Sequence, residues 1–352
     1  MTTGVHISGQ NNEQSLLLAA IKNISKNNAD DTFILFIERT LEELPTNCKQ
    51  FLITPKPKNK LILYYWYNYK LPKLLLKQAV NIFVSDAPIL APSLNIKQFL
   101  FVSDIFLKKN KNHFFKKKTI AAINAAENIF VTDDYMAALL TDRYAANTNK
   151  IESLYFDLTT KKANFSWNEL EATKESYTNG VDYFLFPVSD SSSKKIITVL
   201  KAFSQFKKWQ KSSMKLLFLL ENIREENLID DFKNYKYRSD VIIIIQNDEN
   251  VLPIVASSFA MVFFGSYTDV NVAFLAFQNN IPVIAADNRV NNLLFKNAVM
   301  YSDISEDQLA IKIQLIYKDE LQKNVIIQQT SSLLEKYNTN EAAQKMFQII
   351  ST

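Results

Sequence analysis

The chain has 352 residues, of which 47% are hydrophobic and 22% are charged, and its formal net charge is +4. This length exceeds what one hydrophobic core usually serves, so two domains are expected. The mild net charge argues against a dedicated nucleic-acid-binding protein. No apolar run approaches the length of about 20 residues that a membrane-spanning helix needs, which argues against a transmembrane protein.

The usage of cysteine, histidine and glycine narrows the possible chemistry. One cysteine (Cys48) and two histidines (His6 and His113) are too few for a disulfide framework or a cysteine-built metal site, so we expect no metal and no cofactor. The chain has only 4 glycines and lacks both the G-x-G-x-x-G fingerprint and the G-x-x-x-x-G-K-[ST] phosphate loop. Any phosphate would therefore be held by side chains or helix N-termini.

In the first half of the chain, short β-branched and aromatic runs alternate with longer helical patterns, which is typical of α/β domains. The predicted strands are Thr32 to Ile37, Gln50 to Ile53, Ile82 to Ser85, Phe99 to Ser103, Asn128 to Thr132 and Ile151 to Tyr155. The predicted helices are Glu13 to Lys26, Leu71 to Lys77, Thr119 to Ala126 and Asp134 to Tyr144. Val5 to Ser8 is a poor first strand, so the usual opening strand is expected to be missing or replaced.

The second half repeats the α/β alternation. Its predicted strands are Tyr183 to Pro187, Lys215 to Leu220, Val241 to Ile245, Ala260 to Phe264 and Pro282 to Ala285. The continuous apolar runs that begin at Leu216 and Val241 are typical of strands covered on both faces, as in parallel sheets. The polar stretch Thr159 to Asn179 predicts a boundary near residue 175, which gives domains 1–175 and 176–337. Asn338-Thr-Asn-Glu341 is an N-terminal capping signal and predicts a terminal helix within 338–352.

The segment from Pro253 to Ala285 has the order strand, loop and helix and closes with Pro282-Val283-Ile284-Ala285. It resembles the donor pocket of retaining GT-B glycosyltransferases, the group with an E-x7-E motif. In this alignment Tyr267 and Leu275 stand where that family has its two glutamates. Asp269 is the nearest acid, two residues out of register, and Asn280 replaces a family glycine. The resemblance implies a nucleotide-sugar site in which Asp269, Asn271 or Asn280 contacts the sugar hydroxyls.

A second part of the resemblance is the phosphate grip G-R-x-x-x-x-K-G, which matches the frame from Tyr183 to Phe203. Lys194 falls on the family lysine, whereas Ser189 stands at the arginine position. The resemblance implies that Lys194, with the hydroxyl of Ser193 and the free N–H groups of the helix start, binds the donor phosphates. The alternative is that the serines cap the helix and the lysine is solvated.

The first half is similar to the same family in the order of its motifs. Phe101-Val-Ser-Asp104 resembles a strand-end V-H-D, and Ile129 to Tyr135 resembles I-x-V-S-E. The resemblance implies two Rossmann-like doubly wound α/β domains that face each other across a cleft. Asp104 would then be a catalytic residue that orients the acceptor hydroxyl or accepts its proton, unless it caps the next turn. Thr132 and Asp133 end another strand, where N-capping of the following helix is the simpler interpretation.

A lysine-rich segment with two phenylalanines follows Asp104. The residues assigned to this acceptor or membrane side are Lys108, Lys109, Lys111, Phe114, Phe115 and Lys116. Basic and aromatic side chains together suit contact with anionic lipid headgroups, although a solvated loop is the alternative and nucleic acid is less favoured. The aromatic run from Tyr64 to Tyr69 has the chemistry to stack on sugar rings, but core packing explains it more simply.

Two functions remain open on the sequence. The first is a glycosyltransferase of polysaccharide biosynthesis that takes a UDP or GDP type nucleotide sugar and a glycan or lipid-linked acceptor. The second is a pseudo-enzyme, a GT-B framework without catalysis that serves as a binding or scaffold partner in polysaccharide assembly. We favour the first, in a cytoplasmic protein with peripheral contact at the inner face of the membrane and no nucleic-acid partner. Fold-level similarity carries most of this inference.

Overall fold

The structure, a computed structural model, describes residues 1–8, 15–53, 65–88, 90–91, 93–103, 113–157, 164–189, 193–221, 235–247 and 249–352, without the side chains of residues 67, 113–116 and 193. The chain forms two compact units. Unit 1 comprises Met1–Asp157 with Tyr337–Thr352, and unit 2 comprises Leu158–Lys336. Among the described residues, no helix is both long enough and apolar enough to cross a bilayer.

Unit 1 is built on a seven-stranded sheet in the order β3-β2-β1-β4-β5-β6-β7, in which every described pairing is parallel. Its strands are β1 (Thr2–His6), β2 (Thr32–Ile37), β3 (Cys48–Leu52), β4 (Ile82–Ser85), β5 (Lys97–Val102), β6 (Ile129–Val131) and β7 (Ile151–Ser153). Its first helices are α1 (Leu16–Asn27), α2 (Leu71–Lys77), α3 (His113–Ala125) and α4 (Asp134–Tyr144), and a π-helical turn (Trp66–Lys70) leads into α2. The order reverses between β1 and β4, so the sheet is doubly wound.

The expectation that the opening strand is missing was wrong. β1 lies in the middle of the sheet, paired with β2 on one side and β4 on the other. Its threonines and glycine give a weak local signal, and the two neighbouring strands decide its conformation. A Cβ atom on Gly4 would lie 3.0 Å from Leu75 Cδ2 and 3.0 Å from Val80 Cγ1, so glycine lets α2 and the turn after it pack closely on β1.

The two faces of this sheet are covered by different helices. Alternate residues of β2 point to opposite faces, as a period of two requires. Phe33 and Leu35 join the core that contains α1, whereas Ile34 and Phe36 join a separate core with Trp66 and α2. The helix that leads to β4 therefore covers the face opposite to α1.

Unit 2 is built on a six-stranded sheet in the order β10-β9-β8-β11-β12-β13, again with every described pairing parallel. Its strands are β8 (Tyr183–Val188), β9 (Lys215–Leu220), β10 (Val241–Ile245), β11 (Ala260–Phe263), β12 (Val283–Ala286) and β13 (Met300–Ser302). Its helices are α5 (Trp167–Thr178), α6 (Ser193–Gln210), α7 (Val251–Ala256), α8 (Val270–Gln278), α9 (Arg289–Phe295), α10 (Glu306–Lys318) and α11 (Glu320–Leu334). The two predicted doubly wound α/β domains are both present.

One apolar run of unit 2 differs from the expectation of burial on both faces. β9 is almost fully buried, as predicted. β10 lies at the edge of the described sheet, its residues are only partly buried, and Ile245 is 58% exposed. Continuous isoleucines therefore occur here in an edge strand, because β-branched side chains favour any strand and do not by themselves report its position.

The chain passes from unit 1 to unit 2 after Asp157, earlier than the boundary near residue 175 that the polar stretch suggests. The reason is α5, a polar helix that packs against α7 inside unit 2. The terminal helix α12 (Thr339–Ser351) belongs to unit 1. Its start is capped by the predicted residue, Asn338, whose Oδ1 accepts hydrogen bonds from the N–H groups of Asn340 and Glu341.

Helix α12 completes the core of unit 1, since Ala343, Met346 and Ile350 are fully buried in the cluster that contains α1. We expect Met346→Ala to lower the free energy of unfolding by about 2 to 5 kcal/mol, because truncation leaves a cavity between α12 and α1. Urea denaturation checks this value. The exposed neighbour Gln348 is the matched control, and Gln348→Ala should change stability by less than about 0.5 kcal/mol. Equal effects of the two substitutions would contradict the packing described here.

Candidate functional site

A cavity of about 190 Å³ lies in unit 2, at the edge of the sheet where the strands end. The ends of β8 and β9, the loop after β11 and the first turns of α8 line it. Its polar lining residues are Ser189, Glu221, Gln246, Thr268, Asp269 and Asn271. Ligands of open parallel sheets bind at this carboxyl edge, because the strand-to-helix loops and helix N-termini converge there. The position and polarity of the cavity thus make it the candidate site.

Four of the residues singled out in the sequence meet at this cavity, namely Ser189, Asp269, Asn271 and Leu275. They come from two separate segments, the end of β8 and the start of α8. Tyr267 lies in the same turn as Asp269 and is partly buried, but it does not line the cavity. The side chain at one predicted donor position, Leu275, presents an apolar group to the cavity.

The carboxylate of Asp269 is engaged by its own loop. Its Oδ2 accepts hydrogen bonds from the backbone N–H and the hydroxyl of Ser266, at 2.6 and 2.9 Å. The hydroxyl of Thr268 donates to Oδ1 at 3.2 Å. Ser266 and Asp269 together form a capping box, so the acid closes the turn that leads into α8.

Lys194 lies in the first turn of α6, with its side chain exposed. It is not among the residues that line the cavity. The next residue, Lys195, lines a smaller recess that adjoins the cavity, and Ser189 lines both spaces. The backbone of Ser193 begins α6. The structure therefore brings Ser189 to the site and leaves Lys194 at its margin.

Sequence reasoning missed two polar residues of the cavity, Glu221 and Gln246. The N–H of Glu221 donates to the carbonyl of Val188 at 2.9 Å, and that of Gln246 donates to the carbonyl of Leu220 at 2.8 Å. Each bond extends the parallel strand pairing by one residue. Glu221, after β9, and Gln246, after β10, are thereby held at the cavity. The signal was present, because each is the first polar residue after an apolar strand.

The scarce glycines matter at one point of the site. A Cβ on Gly265 would lie 2.7 Å from the Phe263 ring and 2.9 Å from Asp269 Cβ, so only glycine allows this loop to close. At residue 280 the resembled family has glycine, and the asparagine of this chain can adopt the backbone conformation found there. Asn280 has a φ of 57°, and asparagine tolerates this left-handed conformation better than other residues with a side chain.

The predicted acceptor or membrane side falls mostly outside the described residues. Asp104, Lys108, Lys109 and Lys111 lie outside the described residues. The backbones of residues 114–116 form part of α3, but the side chains of Phe114, Phe115 and Lys116 are outside the described set.

At the carboxyl edge of unit 1, the described acids have structural partners. Asp133 Oδ1 accepts the N–H of Met136 at 2.8 Å and Oδ2 accepts the Thr132 hydroxyl at 3.0 Å, as the capping interpretation predicts. Tyr155 donates to Asp134 Oδ1 at 2.5 Å. Burial and this hydrogen bond raise the pKa of Tyr155 well above its usual range, so the phenol stays protonated. Among the described residues, no group of three His, Cys, Asp or Glu is placed to hold a metal ion.

Comparison with solved structures identifies the fold, whereas no family model and no curated protein matches by sequence. A glycosyltransferase from Rickettsia africae ESF-5 has a TM-score of 0.68 at 15% identity, over 99% of this chain and 97% of that one. WaaG, a glycosyltransferase involved in lipopolysaccharide biosynthesis, has a TM-score of 0.60 at 13% identity, over 99% of both chains. HepE of Anabaena, in complex with UDP and glucose, has a TM-score of 0.64 at 11% identity, over 100% of this chain and 99% of that one. The two parallel-sheet units of this chain have the GT-B fold.

We expect Asp269→Ala to lower the free energy of unfolding by about 1 kcal/mol, because it removes the acceptor that closes the turn before α8. Asp269→Asn retains one of the two acceptor oxygens and should cost less. Thermal denaturation of the two variants checks the order. A stability equal to that of the parent in both variants would show that the capping bonds are not formed in solution.

Proposed function

We propose that the cavity of unit 2 binds a nucleotide-sugar donor of the UDP or GDP type, and that the protein transfers the sugar to an acceptor. The observation that carries this proposal is the polar cavity at the carboxyl edge of a doubly wound sheet with the GT-B fold. HepE, which has the same fold, was solved with UDP and glucose and with UDP-glucose. Small-molecule sites of this kind use a few polar groups that fix the ligand's orientation.

The distribution of charge suggests how the donor would lie. The charged residues among the described cavity lining, Glu221 and Asp269, are both acidic and would repel a diphosphate. A helix N-terminus with lysines lies beside the cavity, where α6 begins with Ser193, Lys194 and Lys195 and where Lys195 lines the adjoining recess. An N-terminal helix end attracts phosphate through its free N–H groups and its dipole. The proposed pose therefore directs the phosphates to α6 and the sugar or ribose hydroxyls to the acids.

The proposed acceptor is a glycan or a lipid-linked glycan, which fits a role in polysaccharide biosynthesis. Asp104 is the proposed acceptor-side residue, since a carboxylate at a strand end can orient a hydroxyl or accept its proton. The lysines and phenylalanines from Lys108 to Lys116 are proposed to contact the inner face of the membrane. Nothing in the composition favours a nucleic-acid partner for this activity.

A second candidate function is a scaffold that binds a ligand without catalysis. Two observations favour it. Asp269 already accepts hydrogen bonds at both oxygens from its own turn. Leu275 offers an apolar side chain where the sequence resemblance places an acid. Transfer needs stabilisation of the leaving diphosphate beyond simple binding, and a site with few preorganised charged groups supplies less of it.

Donor binding is tested by thermal shift and calorimetry with UDP, GDP and their sugar conjugates. A ligand at about 100 times its Kd should stabilise the fold by about 2.7 kcal/mol. Lys194→Ala should weaken binding about tenfold, because it removes a cationic partner of the phosphates. The matched control is Lys208→Ala, which removes an exposed lysine from the last turn of the same helix. Absence of binding across the panel, or equal loss in both variants, would overturn the proposed donor site.

Turnover separates the two candidate functions. With a bound donor, we expect slow release of UDP or GDP from the sugar conjugate, faster when a glycan acceptor is added, because transfer breaks the bond between sugar and phosphate. Nucleotide release is measured on the same sample that gave the binding constant. Tight donor binding with no nucleotide release above the rate in buffer would favour the scaffold.

A further inference from the structure

The π-helical turn and α2 form an amphipathic element in unit 1, from Tyr65 to Lys77. Its inner side is anchored, since Trp66, Leu71 and Leu75 are buried in the core below β2 and β4. Pro72 has no N–H to donate, and the turn before it is widened, with the N–H of Leu71 bonded to the carbonyl of Trp66. This element is a fixed part of unit 1.

The outer side of the same element is unusually apolar for a surface. Tyr65 is 58% exposed, Tyr69 is 59% exposed and Leu76 is 65% exposed. The two tyrosine rings stack on each other, with centroids 6.0 Å apart and an interplanar angle of 26°. Single exposed apolar residues are ordinary, but three large ones on one side of one element form a patch that suggests an interaction surface.

The element from Tyr65 to Lys77 contains three lysines, and its sequence has no aspartate or glutamate. Lys73 and Lys77 are exposed on the same element, and neither forms an ion pair with a residue that the structure describes. The Nζ atom of Lys70 lies 5.7 Å from the centroid of the Trp66 ring. Between Pro45 and Ser85 the sequence has seven lysines and no aspartate, glutamate or arginine. The chain as a whole carries only +4, so this stretch of the sequence is much more basic than the rest.

We propose that this surface, which we call the α2 face (Tyr65, Tyr69, Lys73, Leu76 and Lys77), docks on a lipid bilayer with anionic headgroups. Tyrosine suits the membrane interface because its ring is apolar and its hydroxyl is polar. Leucine adds exposed apolar area that can insert among acyl chains, and lysines are attracted to anionic headgroups. An anionic bilayer matches both kinds of side chain, because it has an apolar layer beneath a negatively charged one.

The same composition disfavours nucleic acid as the partner. Arginine is the residue that recognises phosphates with paired hydrogen bonds, and no arginine occurs between Arg39 and Arg143. A nucleic acid would also leave the exposed leucine without an apolar partner. Attraction by lysines alone requires no fixed phosphate geometry, which fits the fluid surface of a bilayer.

Topology places a second basic helix on the same face of the sheet. The crossovers from β3 to β4 and from β5 to β6 run in the same direction across the sheet. Since such crossovers are right-handed, α2 and α3 lie on the same face. α3 carries Lys116 and Lys117, and the side chain of Lys117 is exposed. The α2 face is thus an anchored surface on the same face of the sheet as α3 with its exposed Lys117.

Docking at the α2 face does not depend on the proposed donor site, because the cavity lies in unit 2 and the α2 face in unit 1. The two proposals can therefore fail separately. A variant of the α2 face should retain any thermal shift produced by UDP or GDP. A variant of α6 such as Lys194→Ala should retain any binding to lipid.

The test is co-sedimentation of the full chain with vesicles of phosphatidylcholine, with or without phosphatidylglycerol. We expect binding to the anionic vesicles only, weakened by added salt. Lys73→Glu with Lys77→Glu should reduce the partition coefficient roughly 30-fold or more, at about 1 kcal/mol for each lysine near the surface. A matched control reverses two exposed lysines of unit 2, Lys208→Glu with Lys318→Glu, and should bind as the parent does.

A second pair of variants tests the apolar contribution. Tyr65→Ser, Tyr69→Ser and Leu76→Ser combined should abolish binding that resists salt, whereas Leu321→Ser with Val325→Ser, on the exposed side of α11, should not. Circular dichroism melts verify that each variant is folded. The proposal is overturned if the parent does not bind anionic vesicles, if the control variants lose as much binding, or if the parent binds a single-stranded oligonucleotide in preference to vesicles.

Discussion

The parallel pairing of the strands is the constraint on which the rest of this structure depends. Every described strand in both sheets runs the same way as its neighbours, so all strands of a sheet end at one edge. The loops that leave this edge bring Ser189, Glu221, Gln246 and Asp269 to one cavity although they are far apart in the chain. No local signal could assemble this set, because only hydrogen bonding between strands aligns their ends.

The shortage of glycine explains how the cavity is built. Backbone loops that approach a phosphate closely need glycine. In the described part of unit 2, the loop after β11 has a glycine, Gly265, where its backbone packs against the Phe263 ring. Phosphate recognition would instead fall to a helix start and its lysines, beside a cavity whose described charges are negative. The same arrangement is also compatible with a scaffold without catalysis, because Asp269 stabilises its own turn and Leu275 supplies no charge. The fold provides the position, and the chemistry depends on few groups.

The two faces of the sheet in unit 1 are covered in different ways. One face is covered by α1 and by the returning helix α12, which together bury a continuous core. On the other face, α2 buries Trp66 and Leu75 while it exposes two tyrosines, a leucine and lysines. The buried side fixes the element, and a fixed element presents its outer side chains at low entropic cost. Ligand binding and surface attachment are thus proposed for different units.

The sequence by itself determined the α/β class, most strands, the capping residues Asp133 and Asn338, and the segments around Ser189 and Asp269. These features are local, since they depend on apolar runs, side-chain hydrogen bonds to nearby N–H groups and motif order. Only the tertiary structure decided that β1 is a central strand, that Glu221 and Gln246 join the cavity, and that Trp66 is buried while Tyr65 is exposed. Those outcomes depend on partners distant in the chain, because strand pairing and burial are set by neighbours that no single segment encodes.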